Sequence, residues 1–174
     1  MATNLEFIKS VTPDGSSSSI LITDVFSAKY DTYQVTYSIV TDSGSPKNVN
    51  LRLINSSDAI ITNSNYDYAF HFLNTSANFG MYNNTDQAQW TEILGYTDYP
   101  PEGAAGTFYI YNPFSSSTYT FMAGQYFSRW NGASAGGRTI GVLKETTSCT
   151  GLNIYLSSTN PVSDSYISVY GVKQ

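Results

Sequence analysis

Few residues of this chain are of types that do chemistry, and their spacing argues against most of it. His71 is the single histidine and Cys149 the single cysteine. A hydrolase triad would have to be built around His71, inside the alternating stretch YDYAFHF (Tyr66 to Phe72) and on the face opposite its aromatic side chains. No Gly-x-Ser-x-Gly elbow offers it a nucleophile. Cys149 cannot form an internal disulfide and reads as a small hydrophobe or half-exposed thiol near a strand end. Zinc needs three or four Cys, His or carboxylate ligands, so that route is nearly closed. The 13 Asp and Glu residues are scattered. Glycosidic cleavage needs two carboxylates across a cleft. Glu92, Asp98, Glu102 and Glu145 are the ones near aromatic residues or loops. Asn83, Asn84 and Asp86 offer a cluster of oxygen donors for calcium, but without EF-hand spacing the cluster reads as a polar turn. The reading is therefore no catalytic residue, no metal, no cofactor and no enzyme.

The stretch WNGASAGGRTIGVL (Trp130 to Leu143) poses the same question in another form. A phosphate-cradling loop needs glycines leading from a strand into a helix, with a Lys-Ser/Thr pair or a dinucleotide spacing. Here Asn131-Gly132 is a hairpin signal, Gly136-Gly137 allows a second reversal, and a strand follows. Arg138 reads as a solvated charge at a strand start or as a contact to a partner.

The elements that position these residues are nearly all β. Apolar residues recur with period two, in segments rich in β-branched and aromatic side chains. Strands are expected at Asn4–Val11, Ser18–Phe26, Tyr33–Val40, Val49–Asn55, Tyr66–Phe72, Trp90–Leu94, Gly106–Tyr111, Tyr119–Met122, Gln125–Trp130, Thr139–Lys144, Leu152–Leu156 and Tyr166–Val172. Turn chemistry separates them, as at Thr12-Pro13-Asp14-Gly15 and Asp42-Ser43-Gly44-Ser45-Pro46. Short strands at this spacing predict one all-β domain over 1–174, a two-sheet β-sandwich of jelly-roll type. No composition shift, linker or repeat divides the chain.

Composition narrows the partners. The chain has 174 residues, a net charge of −5 and only 8 Lys and Arg. A phosphate backbone needs a basic patch, so nucleic acid is excluded as a partner. Charged residues make up 12% and aromatic residues 15%, including 15 tyrosines, while Ser, Thr and Asn supply about a third of the chain. Such a surface is solvated by hydroxyls and amides without strong fields. No apolar run reaches the roughly 18 residues of a membrane span, and MATNLEFIKS lacks the basic start and apolar core of a secretory leader. The sequons at Asn55, Asn74 and Asn83 are what chance supplies in such a composition.

Three stretches of the C-terminal third carry a resemblance: YNPFSSSTYTF (Tyr111 to Phe121), GGRTIGVLKETTSCTGLNIYLSS (Gly136 to Ser158) and SDSYISVYGVK near the end. Together with the opening LEFIKSVT, they resemble β-sandwich structural proteins of tailed bacteriophages, notably marine ones. The resemblance implies a non-enzymatic virion component on the particle surface, assembled in the host cytoplasm. The first expectation is a capsid decoration or cement protein on the outer head. The alternative is a tail or fibre module that binds a receptor glycan. It also implies other virion proteins, capsid or tail, as partners, and a homo-oligomer, often a trimer.

For contacts, the aromatic residues in or beside loops are the candidates: Tyr82, Trp90, Tyr96, Tyr99 and Trp130, with Arg138. Core or rim packing is the competing reading for each aromatic. The loops Asn83–Trp90, Tyr96–Gly106 and Trp130–Arg138 are the expected contact surfaces, because loops carry recognition on a rigid sandwich. Ala2 to Phe7 either reaches a neighbouring subunit or pairs within its own sheet.

Overall fold

Alternation of β-branched and aromatic residues with polar ones is realised as twelve strands in a computed structural model, which describes residues 4–42, 45–97, 102–130 and 132–173. They are β1 (Leu5–Val11), β2 (Ser19–Ile22), β3 (Thr32–Ile39), β4 (Lys47–Asn55), β5 (Tyr66–Asn74), β6 (Phe79–Gln87), β7 (Tyr96–Thr97), β8 (Ala104–Tyr111), β9 (Thr120–Trp130), β10 (Ala133–Leu143), β11 (Cys149–Leu156) and β12 (Tyr166–Val172). The fold is the expected all-β sandwich of two antiparallel sheets.

The strand order shows how it is built. One sheet begins β1-β12-β3-β8 and the other runs β2-β11-β4-β7. Successive strands thus alternate between sheets while the chain ends wrap inward, which is the winding of a jelly roll. Two hairpins, β5–β6 and β9–β10, are inserted into this eight-strand frame. Both join the first sheet beyond β8, in the order β8-β9-β10-β5-β6. The larger sheet therefore has eight strands and a four-stranded extension that the smaller sheet does not match.

The core lies between the inner faces. Tyr33, Val35, Tyr37 and Ile39 of β3, with Phe108, Ile110, Ile167 and Val169, meet Ile20, Ile22, Val49, Leu51, Leu53, Leu152, Ile154 and Leu156 of the smaller sheet. The aromatic side chains of β5, Tyr66, Tyr68, Phe70 and Phe72, are buried as their alternation predicts. Two of the buried phenols are anchored: Tyr37 donates to the Leu94 carbonyl at 2.8 Å, and Tyr66 donates to the Ile61 carbonyl at 3.1 Å. The segment 88–95 closes the inner face of the extension where the smaller sheet ends. Trp90 exchanges backbone hydrogen bonds with Leu51 of β4, both 3.0 Å, while its indole N–H donates to the Asp67 carbonyl of β5 at 3.1 Å. One side chain thus rivets the two sheets.

Several local expectations are corrected. Asn83-Asn84-Thr85-Asp86 is strand β6, because pairing with β5 satisfies a backbone whose residues favour turns. Trp90–Leu94 makes one bridge, not a strand. Tyr119–Met122 and Gln125–Trp130 are one continuous strand, β9. Gly136-Gly137 does not reverse the chain. It runs straight through β10, where a Cβ on Gly137 would lie 2.0 Å from the His71 carbonyl oxygen. Only Gly132, at φ 79°, turns, closing the β9–β10 hairpin. Residues from Leu5 onward in the N-terminal segment pair with β12 of their own sheet.

Candidate functional site

Among the described residues, the three glutamates with a candidate chemical role are already engaged by neighbours. Glu92 accepts from the Asn48 amide at 2.8 Å and the Tyr96 hydroxyl at 2.6 Å. Glu102 pairs with Arg129 at 2.8 Å. Glu145 accepts from Asn63 and Asn65 at 3.2 and 3.3 Å. Asp98 and Tyr99 lie outside the described residues. Cys149 is fully buried, and burial, aided by the nearby Glu145, pushes its thiol up to about 12. A thiol that keeps its proton is no nucleophile at neutral pH. The oxygen donors weighed for calcium are split, since Asn83 and Asn84 are consecutive in strand β6 and point to opposite faces. The Asn84 amide donates to the Tyr68 hydroxyl at 3.1 Å, and Asp86 pairs with Lys144 at 2.7 Å. Among the described residues, no three His, Cys, Asp or Glu side chains are grouped to hold a metal.

The contact candidates separate into three environments. Trp90 is a correction: it is fully buried, its ring edge-on to Tyr66 at 5.1 Å, and it presents nothing to a partner. Tyr82, Trp130 and Tyr96 are brought together by the inner side of the extension. Tyr82 stacks on Phe72 at 6.0 Å, Phe72 meets Trp130 edge-on at 5.8 Å, and Trp130 stacks on Tyr96 at 6.0 Å. Of this array only Tyr82 is mostly exposed. Arg138 is exposed on the opposite, outer face of the same strands, with Gln125 and His71 as its cross-strand neighbours.

That outer face is the feature the sequence did not announce. Cross-strand register sets its residues in rows, because directly paired residues share a face. One row is Ala105, Phe127, Gly136, Leu73 and Phe79; the next is Thr107, Gln125, Arg138, His71 and Met81. The third is Tyr109, Ala123, Ile140, Ala69 and Asn83, and the fourth is Tyr111, Phe121, Val142 and Asp67. Phe127, Leu73 and Ile140 are each 61% exposed, Phe79 65% and Met81 75%. The alanines and Gly136 between them leave shallow furrows bordered by these large side chains. The only charged groups in the four rows are Arg138 near the centre and Asp67 at one end, the latter paired with Lys144 at 2.9 Å. Monomeric proteins seldom leave so continuous an apolar patch bare. Among the described residues, much of the expected contact loops Asn83–Trp90 and Trp130–Arg138 is strand, and these strands frame the apolar face.

No protein-family model matches the sequence, and neither does any curated protein. What the fold and this face define is a class: a β-sandwich with an uncovered apolar sheet face.

Proposed function

We propose that this chain is a non-enzymatic structural protein of a bacteriophage virion, a decoration protein on the outer head that cements neighbouring subunits. The observation that carries the reading is the broad, weakly charged outer face of the extension, which suits contact with protein and offers no reacting group. The resemblance of Tyr111–Phe121 and Gly136–Ser158 to virion β-sandwich proteins supports the setting. A cement acts by burying area between neighbours, and because it binds only the assembled shell it stabilises that state by mass action. Electron microscopy of purified particles, labelled with an antibody to this chain, tests it. Label over the head lattice is expected; label confined to the tail overturns the head assignment, and particles without label overturn the virion reading.

The array Tyr82–Phe72–Trp130–Tyr96 favours a second reading, a tail or fibre module that stacks a glycan on aromatic rings. It predicts saccharide binding that weakens on Tyr82→Ala. No binding at millimolar sugar argues against it.

A further inference from the structure

We propose that the outer face of the extension is covered by the same face of a second copy of this chain, about a two-fold axis running along the strands between β9 and β10. The inference rests on reading that face as an assembly surface, and it names the partner.

Shape is the first argument. A two-fold axis parallel to the strands keeps each row in register and exchanges sides, placing β9 over β10, and β8 over β5, of the other copy. In the first row Phe127 then stands over Gly136, and Leu73 over Ala105. In the third, Ile140 stands over Ala123, and Tyr109 over Ala69. In these two rows Phe127, Leu73, Ile140 and Tyr109 each meet a position held by Gly or Ala, which is how facing sheets interdigitate about 10 Å apart.

Polarity follows the same exchange. In the second row the Arg138 guanidinium comes over the Gln125 amide oxygen, and an imidazole N–H of His71 over the Thr107 hydroxyl. In the fourth, the Tyr111 hydroxyl comes over the Asp67 carboxylate. Donors thus face acceptors, and Arg138, which makes no ion pair among the described residues, gains a partner.

Area is the third argument. The four strands that face one another, about 4.8 Å apart, and rows spanning about 25 Å give a plane on the order of 500 Å² per copy, to which β6 over β3 and side-chain relief add. That approaches the roughly 800 Å² per partner of a standard stable interface.

Sedimentation of the purified full chain over a range of concentrations tests the proposal. A reversible dimer is expected. Ile140→Arg or Phe127→Arg should weaken it by about a hundredfold or more, with the near-ultraviolet circular dichroism of the fold retained. Leu21→Arg, on the smaller sheet, should leave it intact. Ile140→Ala should weaken association, and adding Ala123→Ile should restore it, because the swap returns knob and furrow with sides exchanged. A monomer at every concentration, a trimer, or a dimer broken by Leu21→Arg but not by Ile140→Arg overturns the proposal. So does failure of the swap to restore association in chains that remain folded. These outcomes are independent of particle labelling, which tests the virion reading separately.

Discussion

The two sheets turn very different outer faces to their surroundings. On the smaller sheet, Asn153 is almost fully buried and donates to the Ser19 hydroxyl at 2.6 Å. The Asn50 amide oxygen accepts the Glu92 N–H at 3.1 Å. The Arg52 guanidinium lies 4.6 Å over the Tyr155 ring and donates to Gln89 at 2.6 Å, while the Tyr155 hydroxyl donates to the same Gln89 oxygen. Most of these polar groups are engaged within the chain itself. The extension of the larger sheet carries Phe127, Ile140, Leu73 and Met81 without cover. Burying an apolar side chain of that size is worth about 1.5–3 kcal/mol, and the fold leaves it unused. The difference teaches how each face is finished: one is knitted to its own sandwich by polar contacts, and the other leaves large apolar side chains exposed, as the proposed pairing of copies requires.

High pH should break the comparison altogether, by unfolding the inner faces on which both outer faces depend. Burial holds the Tyr37 and Tyr66 hydroxyls well above the ordinary phenol value and Cys149 near 12. These groups bind their protons more tightly folded than unfolded. Their contribution is complete below the unfolded values, about 8.5 for the thiol and about 10 for phenol, and is lost as pH rises above them. Stability is expected to be level from neutral pH to about 8, then to fall, with increasing slope above pH 10. Denaturant midpoints across pH 7 to 12 would measure it, and a level profile through pH 11 would contradict the anchoring of these phenols.

Trp90→Ala removes the rivet between the sheets and should cost about 3–5 kcal/mol, read by chemical denaturation. Asn153→Ala sharpens the contrast of the outer faces. It leaves buried partners on the smaller sheet unsatisfied and should cost about 1–3 kcal/mol. Phe127→Ser or Ile140→Ser, on the extension, should change the stability of the separated chain at high dilution by no more than about 0.5 kcal/mol. Equal losses from Asn153→Ala and Ile140→Ser would erase the distinction.

Much of the fold was legible, and the exceptions have physical causes. Tyr66 to Phe72 alternates cleanly, so its aromatic side was placed in the core on pattern alone. Strand β6 was hidden because Asn83, Asn84 and Asp86 favour turns, and only the long-range pairing with β5 overrides them. The first half of strand β10 was hidden because Gly136 and Gly137 carry no side chain to show a period; they are there so that β5 and Tyr126 can approach. Trp90 reads as the start of a short strand beside a loop and so as a contact candidate, since a rivet formed by a single bridge leaves no periodic trace. The outer face was the least legible part. Its apolar character comes from residues on five strands, spread over 105–142 and 67–83, that no local window joins. The aromatic candidates Tyr82, Tyr96 and Trp130 were found as types. That Phe72 links them into one array depends on the crossover order.

The most direct test of the central claim, that this face is a contact surface, is hydroxyl-radical footprinting of the associated protein, with Met81 as the reporter. Met81 is the most exposed large apolar side chain of the outer face at 75%, and its thioether oxidises readily when reached by solvent. The account predicts that Met81 and Phe127 are protected in concentrated wild-type protein and oxidised at the free rate in Ile140→Arg, while Leu21 reacts equally in both. Met81 oxidised at the free rate in an associated wild-type sample, with protection elsewhere, would contradict it.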